Sequence, residues 1–252
     1  MIFLCRGGGS SRPDTVYVAK EFSVKRTHLL ALAAIACSIV SVFALLGPAQ
    51  ATVSNTAPSG IRACSARYAT ISTACLAGAL RDFNAARAKE HLGKLILPTN
   101  FRSLTVPQQL LVLTNLDRRA RGLAPFVGLN ASLDTYAARG SAAGTDPAFP
   151  RWTRSGGSNW ASTYNSLWTE YLWMYYDGAG SVNMACTSSR TTYCWAHRRN
   201  ILARYGAPRV MGAAGRSSGG DAALYLGSDT HDTTYVFRWS SEARYFPGGR
   251  LP

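Results

Sequence analysis

Few side chains in this sequence are suited to chemistry near neutral pH. His197 follows Cys194-Trp195-Ala196 and precedes Arg198-Arg199-Asn200-Ile201-Leu202, which reads as a short helix. Histidine titrates near neutrality, so there it can act as a cleft acid or base, donate to a substrate, or order a loop through backbone hydrogen bonds. Glu170 lies in an aromatic stretch, where burial raises a carboxyl pKa unless the group is paired. Ser158, with His197 and Glu170 or Asp177, supplies the residue types of a serine hydrolase, but Ser158 does not sit in a Gly-x-Ser-x-Gly nucleophile turn. Asp229-Thr230-His231-Asp232 has the types of a small metal cluster; between two expected strands it reads better as a polar hairpin turn. Trp160, Trp168, Tyr171, Trp173, Tyr175 and Tyr176 could stack a sugar or a lipid, but aromatic density of this kind is first of all core.

These residues must be placed in a compartment and on a scaffold. Lys20, Lys25, Arg26 and His28 precede an almost unbroken apolar run from Leu29 to Leu46, and Ala49-Gln50-Ala51 has the small-x-small form of a cleavage site. The expectation is export, with cleavage after Ala51 and membrane contact only through the signal segment before cleavage. Four cysteines follow that site: Cys64, Cys75, Cys186 and Cys194. An even number in an exported chain argues for disulfides, and nearness in sequence favours Cys64–Cys75 and Cys186–Cys194. Zinc would need tighter Cys/His clustering. With 27 Lys+Arg against 13 Asp+Glu the chain carries +14. Such charge suits an anionic polymer, or it is scattered over a solvated, arginine-rich surface; no basic run is dense enough to indicate a specific nucleic-acid partner.

The elements follow from caps and periods. Residues 1–51 are leader and signal, and 52–72 read as a linker. A helical preface occupies 73–104, with Ser72 capping a helix from about Thr73 to Gly93. Thr105-Val106-Pro107-Gln108 opens a second helix, and Leu110, Leu113, Leu116 and Ala120 mark one face of it. Asn115, Asp117, Arg118 and Arg121 mark another face. Ala131 to Ala143 reads as a third helix and Thr145 to Ser158 as a loop. Trp160 to Tyr176 reads as a fourth helix. Residues 209–214, 222–227 and 234–239 read as short strands between Gly/Ser/Asp turns. Helices first and strands later give an α+β fold, with the main domain over 105–240 and a tail over 241–252.

The stretch from Asn115 to Pro125 (Asn-Leu-Asp-Arg-Arg-Ala-Arg-Gly-Leu-Ala-Pro) resembles the first helix and exit of the CAP superfamily, the cysteine-rich secretory, antigen 5 and pathogenesis-related proteins, whose domain is also called SCP. Leu133 to Ala143 is similar to the second helix of that domain. Gly157-Ser158-Asn159-Trp160-Ala161 sits where the family has Gly-Glu-Asn-Ile-Ala. Trp168-Thr169-Glu170 falls near its third helical segment. Trp195 to Leu202 resembles the Gly-His-Arg-x-Asn-Ile-Leu of its bacterial branch. The resemblance spans roughly Val106 to Trp239.

The resemblance implies an α-β-α sandwich with a central antiparallel sheet and a cleft, where two histidines and two glutamates can hold a divalent metal in some members. His197 matches the second histidine and Glu170 the second glutamate; the first histidine falls at Gly144 and the first glutamate at Ser158. With two of four ligands gone, no metal and no other cofactor is expected. The remaining two, His197 and Glu170, are expected to face and pair with each other across the cleft. Ser158, Asn159 and Trp160 are the expected binding stretch. The resulting expectation is a secreted, non-catalytic binding protein of the extracellular space or envelope with an unidentified ligand. The alternative is a hydrolase acting on peptide or cell-wall material through His197 and Glu170.

Overall fold

The structure is a computed structural model that describes residues 53–64, 71–216, 219–227 and 234–252. The expected signal segment and the Asp229–Asp232 turn lie outside these residues. Ser72 Oγ accepts the Cys75 N–H at 3.0 Å and opens α1 (Thr73–Lys89). The preceding segment, read from sequence as a linker, packs onto this helix. Asp82 of α1 accepts the backbone N–H groups of Ser59, Gly60 and Ile61 at 2.8–3.1 Å. Burial pushes the Asp82 carboxyl up, but these donors and the Ser59 hydroxyl outweigh it and hold the pKa below its usual value. The Cys64–Cys75 disulfide closes the same contact.

In α2 (Val106–Arg119), Gln108 Oε1 reaches back to the Thr105 N–H at 2.9 Å, and Pro107 sits in the first turn, where its missing N–H costs nothing. Asn130 Oδ1 accepts the Leu133 N–H at 3.1 Å to start α3 (Ala131–Ala143), and Gly144 ends it with φ +71°. The fourth helix departs from expectation. Trp160 and Ala161 belong to a strand, and α4 (Ser166–Tyr175) begins only after Asn165, whose Oδ1 accepts the Leu167 N–H at 2.9 Å. By capping α4, Asn165 ends the extended chain. The last helix is α5 (Ala196–Leu202).

Five strands form one sheet: β1 (Gly128–Asn130), β2 (Gly156–Ala161), β3 (Val210–Gly215), β4 (Asp221–Leu226) and β5 (Tyr235–Arg238), in the order β2-β4-β3-β1-β5. The last three lie where the sequence places them. The sheet is not wholly antiparallel, because β1 pairs with β3 in parallel; α3, β2, α4 and α5 all intervene, ample chain for the crossover that a parallel pair needs. The other neighbours are antiparallel.

Along β3 the two-residue period assigns the layers. Met211 and Ala213 join the large core with Leu110, Leu111 and Leu113 of α2 and Leu167 and Tyr171 of α4, whereas Val210 packs with Leu133 of α3 on the other face. Helix α3 approaches so closely that a Cβ on Gly212 would lie 2.3 Å from the backbone carbon of Leu133, so only glycine fits there. The result is helix, sheet, helix. Helix α1 lies on the far side of α4, where Phe83 meets Tyr171 and Tyr175 edge-on at 5.3 and 5.6 Å.

Candidate functional site

The charged segment after α2's apolar face is structural. Asn115 clamps the Phe126 backbone in both directions, accepting its N–H at 2.7 Å and donating to its carbonyl at 2.9 Å. Arg118 is fully buried, donates to the carbonyls of Ala124, Ile201 and Ala203, and lies 4.5 Å over the Phe126 ring. Asp117 receives Arg87 at 2.9 Å, Arg121 at 3.0 Å and the Tyr175 hydroxyl at 2.7 Å. Glu90 joins Arg121 to Arg198 at 2.8 and 2.7 Å. Every charge in this interior net has a partner, which is what burial of charge requires. The net ties α1, α2, α4 and α5 together.

Glu170 belongs to the same interior and not to the cleft. It shares a helix face with Leu167 and Met174, three and four residues away, and all three are inaccessible to solvent. Thr114 Oγ1 donates to its two carboxyl oxygens at 3.4 and 3.3 Å. Burial, then the negative Asp117 nearby, pushes the Glu170 pKa well above its ordinary value, although Thr114 and Arg121 pull the other way. The expected Glu170–His197 pair does not form. Position on a helix was legible in the sequence; the face was not.

His197 pairs instead with Asp177, just beyond the end of α4. Asp177 Oδ1 meets His197 Nδ1 at 2.7 Å, and Asp177 Oδ2 accepts the His197 backbone N–H at 3.0 Å. Asn183 donates to the same carboxylate at 2.7 Å, and the Trp195 N–H donates to the Asp177 carbonyl at 3.0 Å. Trp195 holds a left-handed φ of +62°, costly for a bulky residue and kept by this anchoring. The Cys186–Cys194 disulfide closes the loop immediately upstream. On the other side, Asp146 Oδ1 lies 3.9 Å from His197 Nε2. Burial pulls the His197 pKa down, but the Asp177 bond and charge and the Asp146 charge prevail and hold it above the usual value. The imidazole thus sits between two carboxylates, with its ring stacked at 27° on Trp173.

This histidine forms the polar end of a cleft of about 440 Å³. Leu172, Trp173 and Tyr176 of the α4 end, Trp160 at the end of β2, and Val182 and Met184 of the disulfide loop supply apolar wall. Of the stretch Ser158-Asn159-Trp160, only Trp160 reaches the cleft. Asn159 is fully buried; it donates to the His197 carbonyl at 3.1 Å and accepts from Asn200 at 2.9 Å, so it props up α5. Ser158 contributes its carbonyl to Asn200 at 2.9 Å and stands outside the cleft lining. Gly144, where the resemblance would put a first histidine, lines the cleft in the left-handed region that side chains rarely adopt. The aromatic stretch divides: Tyr171, Trp173 and Tyr175 are core, with Trp173 backing the cleft wall, while Trp160 and Tyr176 face the cleft. Asp146 was not singled out, and Asp177 was named with His197 only as one of two acids for a serine-hydrolase set. Both are loop carboxylates, brought to His197 by the ends of α3 and α4, and no period marks such positions.

No protein-family model matches this sequence, and no curated protein does. Among solved structures, venom allergen-like protein 4 of Schistosoma mansoni is similar over 55% of this chain and 99% of its own, with 12% identity and a TM-score of 0.33. That likeness is too slight to assign the chain to a family.

Proposed function

We propose that this chain is an exported CAP/SCP-like domain protein that binds a ligand in the cleft at His197, without turning it over. The ordered run of family-like segments between Asn115 and Leu202 supports the domain reading, and the two disulfides support a compartment outside the cytoplasm. One observation carries the binding reading: His197 Nδ1 is bonded to Asp177 at 2.7 Å, and the group facing Nε2 is the Asp146 carboxylate at 3.9 Å, a charge neighbour and not a hydrogen-bond partner. A histidine that activates a nucleophile keeps Nε2 on a hydroxyl, thiol or water in the cleft. Here the ring is bonded to Asp177 and lies in the field of Asp146, a bridge between two loops. The exposed arginines Arg62, Arg81, Arg151, Arg154, Arg190 and Arg216 suit an anionic envelope polymer as a second, less specific contact.

The competing reading is a hydrolase, and Asp177 favours it, since an aspartate on Nδ1 is how a general base is oriented. His197→Ala separates the two. The expected result is loss of the bridge, seen as a lower melting temperature, with no change in hydrolysis of peptide or cell-wall material above background. Measurable turnover that this substitution abolishes, with the melting temperature unmoved, would establish catalysis instead.

A further inference from the structure

We infer that the cleft takes an organic cation, an ammonium group borne on an apolar body, with Asp146 receiving the charge and Trp160 and Tyr176 the body. The inference rests on the reading of the cleft as a binding site and concerns what it selects. The chain carries 27 Lys+Arg, yet the charged side chains lining the cleft are Asp146, Asp177 and His197. The two arginines next to His197 are engaged elsewhere: Arg198 with Glu90 and the Met174 carbonyl, Arg199 with the carbonyls of Cys194 and Thr192. With both carboxyls ionised, two against one imidazole leave the pole negative in either state of the ring; burial raises the Asp146 pKa, although the His197 charge and the Trp160 N–H pull it down, so the pole weakens toward acid pH.

The two aspartates are not equivalent. Asp177 is 2% exposed and committed to His197 and Asn183. Asp146 is 53% exposed and stands at the longer distance of 3.9 Å; it accepts the Trp160 backbone N–H, and its remaining acceptor positions are open to a ligand from the cleft. Aromatic faces attract cations within about 6 Å of the ring centre, an attraction that strengthens where water is excluded. A cleft of about 440 Å³ is in the range that encloses a small organic molecule. A neutral or anionic ligand of the same shape would gain the apolar contacts and lose the carboxylate.

Ligand charge is then coupled to His197. The charged groups that face the ring are Asp177 and Asp146, and Trp173 and Tyr176 flank it in the cleft. An ammonium at Asp146 competes with the imidazolium for that carboxylate. Affinity therefore rises as pH climbs through the folded His197 pKa, and bound ligand lowers that pKa in return.

The test uses the disulfide-bonded chain and four probes with one six-carbon tail: hexylammonium, hexyltrimethylammonium, hexanol and hexanoate. Binding is read by calorimetry and by NMR shifts of the Trp160 and Trp173 indoles. At least one ammonium probe should bind about tenfold or more tighter than hexanol and hexanoate at about pH 8, with a smaller margin at about pH 5. Preference for the primary amine indicates a hydrogen-bonded head, and for the quaternary one a head held by the rings. Asp146→Asn, an isosteric change at a half-exposed site that keeps the Asp177–His197 bond, should remove the preference and lower the melting temperature less than His197→Ala does. Equal or tighter binding of hexanol or hexanoate at the same indoles overturns the cation inference while leaving the binding reading intact, as does a preference that survives Asp146→Asn. Indoles unmoved by all four probes overturn both.

Discussion

Asp177→Asn is the most informative single substitution in the cleft. Its carboxylate takes three donors: the His197 ring at 2.7 Å, the His197 backbone N–H at 3.0 Å and Asn183 at 2.7 Å. Asparagine keeps the shape but turns one acceptor into a donor and removes the charge. A hydrogen bond to a charged group contributes about 1.5–3 kcal/mol, so the loss at acid pH should be about 2–3 kcal/mol. The pH dependence has a definite sign. The folded His197 pKa lies above the ordinary value, so its stabilisation is fully present below the unfolded pKa of about 6.5 and is lost as pH rises through the folded pKa. In the variant, burial of the ring prevails and the pKa falls. The stability gap between parent and variant should therefore be widest near about pH 5.5 and shrink to the residual hydrogen-bond cost, about 1 kcal/mol, by about pH 9. Urea unfolding at both pH values, with disulfides intact, measures the gap, and an NMR titration of the His197 ring measures the pKa. Equal gaps at the two pH values, or a parent ring titrating at or below the ordinary value, would refute the pairing.

Glu170→Gln should cost little near about pH 4 and gain relative to the parent as pH rises, because a carboxyl with a raised folded pKa loses stability above its unfolded value of about 4.3; unfolding across that range checks it. In a double-mutant cycle with His197→Ala, the two effects should add within about 0.5 kcal/mol, since the residues have no partner in common; a larger coupling would restore a direct Glu170–His197 pair. Removing either disulfide should cost about 2–3 kcal/mol by the chain-entropy estimate. Only the Cys186–Cys194 pair, which closes the cleft-wall loop, should also weaken cleft binding, as calorimetry on paired Cys→Ser variants will show. Near-millimolar zinc should leave the melting temperature almost unmoved. The cleft offers His197 Nε2 and Asp146, whereas a zinc site needs three or four protein ligands; a saturable rise abolished by His197→Ala would contradict this.

The features legible in the sequence and those hidden from it divide by range of interaction. Ser72, Thr105 with Gln108, and Asn130 announce three helix starts through bonds made within three residues, so those boundaries were legible. Strand β2 was not: Gly156-Gly157-Ser158 is turn-like in composition, and its extended form comes from six register pairs with β4, about sixty residues away. The same distinction governs the site. His197 could be found by type alone, since histidine titrates where biology operates. Asp177 could be named only by type, as an alternative to Glu170, and Asp146 not at all, because both lie just past the ends of two helices whose meeting is a tertiary event. The charged face of α2 makes the point in reverse. Asn115, Asp117, Arg118 and Arg121 have the residue types of a solvated or functional surface, yet the first three are almost wholly buried. They tolerate burial because each finds partners: Asp117 meets Arg87, Arg121 and Tyr175, Arg118 donates to three backbone carbonyls, and Asn115 clamps the Phe126 backbone. A family-like motif dense in charge can thus serve the scaffold, and chemistry must be sought where a charged group, as at Asp146, remains open to the cleft.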